Sequence, residues 1–263
     1  MTGSTHNIEA AVCCHIGGIR GNNEDNFYLD GIWKPLEKKN ENQLLSDTRA
    51  QPALFIVCDG MGGQQYGEMA SLVAVSWMHQ SRDVFLWGAE PDKEGCAVLS
   101  QLSRQLWQFC QKRKYRMCST MVAAALREDS LYAYGLGDSR IYLLEEGRLQ
   151  QLTQDHTVAA EAEFMGLTGG RTLSSSDPRS HQLTQYFGMD CGEYDPTPSC
   201  VYRKLQPGQR ILLCSDGLSD FLSDAQLALN LACETPLESV QRLVHSALEQ
   251  GGNDNITAMV LAI

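Results

Sequence analysis

The sequence predicts an α+β fold: an antiparallel β-sandwich flanked by pairs of helices, stacked as four layers, α-β-β-α. Three observations carry that expectation. Short apolar runs rich in Val, Ile, Leu and aromatic residues recur along the chain, several of them joined by tight turns. Two pairs of amphipathic segments with helical spacing interrupt them. No repeat, low-complexity tract or linker divides the 263 residues, so 1–263 reads as a single domain.

In chain order, residues 9–16 read as a strand broken by Gly17-Gly18, and Phe27-Tyr28-Leu29 as a second short one. Residues 32–51 are charged and amide-rich, with Lys38-Lys39-Asn40-Glu41-Asn42, and predict an irregular excursion. Leu54-Phe55-Ile56-Val57-Cys58 is a third strand that delivers Asp59. Ala70, Val73, Ala74, Trp77 and Met78 then form one apolar stripe of a helix. A second helix over roughly 93–113 carries Leu99, Leu102, Leu106, Phe109 and Cys110 on one face. Strands at 119–126, 130–136, 139–145 and 149–152 follow, with hairpin turns at Asp129-Ser130 and Glu146-Gly147. Residues 156–198, rich in Gly, Ser, Thr and Pro, predict a long mobile loop region with one short helix near 157–166.

Strands return at 199–204 and 210–215, joined by Pro207-Gly208. Two helix starts are then legible: Ser223 stands three residues before Gln226, and Thr235-Pro236-Leu237-Glu238 reads as a capping box with proline at the first helical position. Leu237, Val240, Leu243, Val244, Ala247 and Leu248 make that last helix amphipathic, and a strand at 255–262 closes the chain.

Charge narrows the function classes. The net charge is −11, from 32 acidic against 21 basic residues, which disfavours nucleic-acid and anionic-membrane partners because no basic excess replaces counterions. The basic cluster Lys112-Arg113-Lys114-Tyr115-Arg116 reads as a solvated helix end. No apolar run reaches the ~20 residues that span a bilayer. Met1 to His6 has neither a basic start nor an apolar stretch, so a cytoplasmic location is expected. The ten cysteines form no Cys-x-x-Cys pair and no zinc spacing; buried, reduced thiols are expected, without a catalytic one.

The chemistry-bearing residues sit at strand edges. Asp59 opens Asp59-Gly60-Met61-Gly62-Gly63, Asp216 opens Asp216-Gly217, and Asp254 lies in Gly251-Gly252-Asn253-Asp254-Asn255. Carboxylates beside glycines, where backbone comes close, suit hard divalent cations. Arg20-Gly21-Asn22-Asn23-Glu24-Asp25-Asn26 adds a guanidinium, two carboxylates and three amides. Gly135-Leu136-Gly137-Asp138-Ser139-Arg140 puts another acid at a strand junction, and Thr153-Gln154-Asp155-His156-Thr157 ends the next hairpin.

In this order, from about residue 13 to the C-terminus, these segments resemble the metal-dependent protein phosphatase family, the type 2C serine/threonine phosphatases, in its small bacterial form. The resemblance implies a single phosphatase domain that hydrolyses phosphoserine and phosphothreonine monoesters, using a hydroxide bridging two divalent ions, Mn2+ or Mg2+. It implies that Asp59 bridges the ions, that the Gly60 carbonyl binds one of them, and that Asp216 and Asp254 complete the shell of the other. Glu24 and Asp25 would hold the second ion directly or through water, Asp138 a third, weaker ion, and Arg20 the substrate phosphate. Implied partners are phosphoprotein substrates and a cognate serine/threonine kinase, with the chain a monomer.

Independent chemistry agrees with that set. A phosphate monoester dianion repels hydroxide, and two cations ~3.5–4 Å apart lower the pKa of a water and neutralise the transition state. An all-oxygen ligand set selects Mg2+ or Mn2+ over zinc. Several residues keep two readings: Arg20 as a phosphate fork or an ion-pair partner of Glu24, Asp138 as ligand or turn residue, and His156 as general acid or structural hydrogen-bonder. An inert binding module and a dedicated phosphatase of an anti-sigma-factor antagonist are the alternative functions. Met61 departs from the histidine of many eukaryotic relatives, and Cys118-Ser119-Thr120 from their Gly-Thr-Thr.

Overall fold

The apolar run Ala53–Met61 shows how the layers arise. Ala53, Phe55 and Val57 join one apolar cluster, and the alternating Leu54, Ile56 and Cys58 join another. A strand alternates its side chains between two faces, so a run apolar at every position needs cover on both sides. One cover here is a second sheet and the other is a layer of helices.

The computed structural model describes residues 7–62, 66–168, 177–192 and 194–263. The chain begins with β1 (Asn7–His15), β2 (Asp25–Leu29), β3 (Ile32–Trp33), β4 (Gln43–Ala50) and β5 (Ala53–Met61). The helices α1 (Gly67–Trp87) and α2 (Pro91–Arg113) follow. Next come β6 (Cys118–Ser119), β7 (Met121–Arg127), β8 (Ser130–Leu136), β9 (Arg140–Glu145), β10 (Arg148–Gln151) and the short helix α3 (Val158–Phe164). The chain then runs through β11 (Ser199–Lys204), β12 (Arg210–Cys214), α4 (Asp216–Ser219), α5 (Asp224–Leu231), α6 (Pro236–Glu249) and β13 (Ile256–Ala262).

Two antiparallel sheets result. One has the order β10-β9-β12-β13-β1-β4; the other has β11-β8-β7-β5-β2-β3, with β6 paired to β5. Between them lies a core containing Val12, Phe27, Phe55, Val122, Leu213 and Met259. The outer face of the second sheet packs against α1 and α2 through Met78, Leu99 and Tyr134. The outer face of the first packs against α5 and α6 through Leu227, Val240 and Leu243. The four-layer α-β-β-α expectation therefore holds.

Several details differ from the expectation. The segment 43–50 is a strand, not part of an excursion: β4 pairs along β1 from Asn7↔Ala50 to Cys14↔Gln43. Its polar composition suits an edge, where one side of the strand meets water. The β7–β8 turn is Glu128-Asp129 rather than Asp129-Ser130, with Glu128 at φ +55°, and Ser130 already belongs to β8. The capping box at α5 is complete, but at α6 only Thr235 accepts from the Glu238 N–H. The Glu238 carboxylate instead pairs with Arg242 at 2.6 Å, one turn along the helix.

The 156–198 region is tied down where it is described. Phe187 is fully buried and exchanges both backbone hydrogen bonds with Ser119, while Thr157 bridges Leu183. Its residues 169–176 and 193 lie outside the described residues, as does Gly63 of the glycine run. All ten cysteines are free thiols. No helix among the described residues is long and apolar enough to cross a membrane.

Leu213 points from β12 into the inter-sheet core with no exposure. Leu213→Ala should destabilise the fold by about 2–5 kcal/mol, read as a lower midpoint in urea unfolding.

Candidate metal centre

Strand parity places the first two acids. Asp25 and Asp59 are register partners on β2 and β5. Phe27 and Val57, two residues along from each, enter the inter-sheet core, so both carboxylates face the opposite sheet at the end where the sandwich opens. That sheet answers with hydroxyls: Ser215 and Thr257 donate to Asp25 Oδ2 at 2.8 and 2.7 Å. Asp25 is almost fully buried, and its Oδ1 has no partner.

Asp59 is held through its backbone. Its carbonyl accepts from the Thr120 N–H at 2.8 Å and the Ser119 hydroxyl at 2.9 Å, and its N–H donates to Thr120 Oγ1. Next to it, Gly60 allows the start of α1 to come close. A Cβ there would collide with the Gly67 carbonyl and lie 2.7 Å from the Glu24 carbonyl. The Gly60 N–H donates to that same Glu24 carbonyl.

Asn255 assembles the remaining side. Its Nδ2 donates to the carbonyls of Ile16 and Asn22, and its Oδ1 accepts from the Glu24 N–H at 2.8 Å. The segment bearing Arg20 and Glu24 is thereby fastened to the start of β13, beside Asp254. Asp254 Oδ2 pairs with Arg20 at 2.7 Å, and Oδ1 accepts from the Asn255 N–H. Asp216 begins α4 with a buried, unpartnered Oδ1. Asp138 is buried after Gly137, whose φ of +110° makes the turn out of β8.

Burial dominates the electrostatics. It raises the carboxyl pKa of Asp25 to about 6, against the hydroxyl bonds that favour the anion. Asp138 is likewise raised to about 6 by burial and then by Asp155. Asp59 and Asp216 are pushed well above the carboxylate range by burial and by the other acids of the cluster. Burial also raises Glu24, with Glu68 adding to the shift. Two cations oppose the charge: Arg20 on the open side, and Lys34, buried behind Asp25, whose ammonium donates to the Lys39 carbonyl at 2.9 Å and contacts Cys14 Sγ at 3.5 Å.

A set of oxygen donors with excess negative charge and two orphaned buried oxygens, Asp25 Oδ1 and Asp216 Oδ1, fits a hard divalent cation. Among the described residues, the group of three whose ligand atoms lie within 4.8 Å of one another is His181, Asp216 and Asp220. Asp59, Asp216 and Asp254 do not form such a group, and Asp254 Oδ2 is paired with Arg20.

Sequence reasoning missed several members. Asp220 follows Asp216 by four residues, a helical spacing that was legible in Asp-Gly-Leu-Ser-Asp. Asn255, Ser215, Thr257 and Lys34 act through contacts between distant segments and leave no local signal. The structure gives His156 a structural bond: its Nδ1 accepts from the Gly137 N–H at 3.1 Å, and burial lowers its pKa, so the ring is neutral. Arg20 pairs with Asp254 rather than Glu24. Cys14 and Arg20 do stand at Cys-x5-Arg spacing, that of a thiolate phosphate loop. Cys14, however, is fully buried, burial raises its thiol pKa, and it faces the inter-sheet core rather than Arg20.

A family model described as protein phosphatase 2C matches residues 38–260. The serine/threonine protein phosphatase PstP of Mycobacterium tuberculosis is 30% identical over 245 residues, covering 93% of this chain but 43% of that protein. The chain thus spans less than half the length of that relative. The serine/threonine phosphatase stp of Listeria innocua is 28% identical over 251 residues, covering 93% of this chain and 92% of the relative. A crystal structure of M. tuberculosis PstP superposes with a TM-score of 0.79 at 28% identity, covering 98% of this chain and 99% of that one. The PstP catalytic domain in complex with two manganese ions gives 0.75 at 27% identity, covering 98% and 99%.

Asp25 and Asp138, at about 6 in the fold, sit above the unfolded value of ~3.9. The folded state therefore holds extra protons between those values, and the stability this brings, full below ~4, is lost as pH rises through about 6. A divalent cation can take these carboxylates as ligands only when they are deprotonated, so adding Mn2+ should raise Tm more at pH 7.5 than at pH 5. Scanning calorimetry in EDTA and in MnCl2 at both pH values checks this. Equal shifts would contradict it.

Proposed function

The chain belongs to the protein phosphatase 2C family, and we propose that it is a Mn2+- or Mg2+-dependent serine/threonine phosphatase acting on phosphoserine and phosphothreonine in proteins. The observation that supports this most is the convergence of Asp25, Asp59, Asp138, Asp216 and Asp254 at one end of the sandwich, with buried acceptors left unpaired and Arg20 beside them. On this reading residues 1–263 act as one phosphatase domain.

Asp59 would be shared between two ions, with the Gly60 carbonyl on one and Asp216 and Asp254 on the other. Glu24 and Asp25 would serve, directly or through water, the ion that Asp216 and Asp254 do not hold, and Asp138 a third, weaker one. Such ions, when bound, supply a water-derived nucleophile at neutral pH and neutralise charge on the phosphate.

The rest falls to the chain's own residues. Ser215 and Thr257 hold Asp25 in one orientation and favour its ionised form. Arg20, about half exposed, can leave Asp254 and turn its fork to two phosphate oxygens. His156, neutral and occupied by Gly137, is a poor source for the leaving-group proton. The natural counterpart would be a serine/threonine kinase that makes the phosphoproteins this enzyme consumes.

A phosphothreonine peptide should be hydrolysed with Mn2+ and not in EDTA. Asp216→Asn should lower kcat by at least about 100-fold, the scale of removing one preorganised electrostatic stabiliser. Turnover without metal, or full activity in the variant, would sink the proposal. Arg20→Ala should lower kcat/KM by about 10- to 100-fold, the worth of one lost charge-assisted hydrogen bond. Steady-state kinetics on the same peptide reads that effect.

A further inference from the structure

Two half-buried thiols meet on the outer side of the second sheet, and the metal chemistry uses neither. Cys200 is the register partner of Tyr134 in the β11–β8 pair. Register partners share a face of a sheet, so the Cys200 thiol stands with Tyr134 on the side that the helices cover. Here α2 packs against both strands. Gly95 permits the approach: a Cβ there would lie 2.5 Å from the Tyr134 ring, so the helix backbone rests directly on it. The Tyr134 hydroxyl donates to the Pro91 carbonyl at 2.7 Å and fastens the first turn of α2. Cys96, the residue after Gly95, is thereby set against Cys200, and a hydrogen bond joins the two thiols. The Tyr134 hydroxyl lies within hydrogen-bond reach of the same Cys200 sulfur.

This contact makes the thiols unequal. The hydrogen bond from Cys200 holds the Cys96 thiol below the usual cysteine range. Burial pushes the thiols of Cys13, Cys58, Cys118 and Cys214 the other way. The thiolate is the reactive form, and both Cys96 and Cys200 keep part of their surface open to solvent. An accessible thiolate beside a second thiol that can resolve it is the arrangement of a redox sensor. The two partners are also held in place by a separate tie, since Arg104 of α2 pairs with Asp195 just ahead of β11.

We propose that Cys96 and Cys200 form a redox modification site, closed to a disulfide by a hydroperoxide and reopened by a thiol reductant. The Cys96 thiolate attacks one peroxide oxygen. An S–O bond forms, the O–O bond breaks, and the departing hydroxide takes up the proton Cys96 released, leaving a sulfenic acid and water. The Cys200 sulfur then attacks the Cys96 sulfur. The S–S bond forms, the S–O bond breaks, and hydroxide leaves with the Cys200 proton as a second water. Two thiols together lose two electrons, and one hydrogen peroxide is reduced to two waters. The new bond staples α2 to β11, the edge strand of its sheet. None of this depends on the phosphatase reading.

The test treats the full-length chain, reduced and then freed of reductant, with a small excess of hydrogen peroxide near neutral pH. Mass spectrometry of a non-reduced digest then reads the disulfides and the oxidation state of each cysteine. The peptides bearing Cys96 and Cys200 should be recovered joined to each other, and should separate again after dithiothreitol. In Cys200→Ser the link should be lost and Cys96 should go on to sulfinic acid, because no resolving thiol remains. The proposal is overturned if Cys96 and Cys200 stay unlinked, or if Cys96 joins another thiol or a second chain. It is equally overturned if Cys96 reaches sulfinic acid as readily in the unaltered chain as in Cys200→Ser.

Discussion

Mutual repulsion among carboxylates in a poorly hydrated cleft is the constraint around which this molecule is organised. Asp25, Asp59, Asp138 and Asp216 each feel burial first and neighbouring acids after it. Left to itself such a cluster would splay apart or take up protons. The surroundings prevent the first: Thr120 and Ser119 hold the Asp59 backbone, Ser215 and Thr257 hold the Asp25 carboxylate, and Asn255 holds the Glu24 segment. The buried repulsion is a local cost in stability that the rest of the fold offsets.

The sandwich makes that arrangement affordable. Its two sheets share a core of residues with almost no exposure, and Asp25 and Asp59 occupy the same face of β2 and β5 one step past the end of that core. Asp25 is tied to hydroxyls of the other sheet, so the cleft is a joint between the sheets and not a feature of either one. Lys34 closes it from behind with a buried positive charge, and Arg20 guards the open side.

The strands and helices were largely readable because both faces of most strands are covered, so apolar runs stand out. The misreadings fall where that signal fails. The β4 edge strand is polar because it has little to bury, and it looked like a loop. The carboxylate of Glu238 left the capping geometry for a nearer cation, Arg242. Cys14 and Arg20 share a suggestive spacing, yet β1 turns the thiol into the core while the loop after it carries the guanidinium to the surface.

Read alone, the sequence determined the four-layer architecture and the candidate acids Asp25, Asp59, Asp138, Asp216 and Asp254, since each lies in a short motif with its own glycine or strand-end signal. It also supplied Arg20, Glu24 and Gly60. Only the tertiary structure decided which residues serve those acids. Ser215, Thr257, Asn255 and Lys34 reach Asp25 and Glu24 across sheets or strand edges, and Asp220 comes within 4.8 Å of Asp216 and His181 only in the folded chain. Local pattern records what a residue does to its own strand or helix. Hydrogen bonds and charge pairs between segments some 200 residues apart, such as Arg20 and Asp254 with 234 between them in numbering, exist only once the sheets have closed.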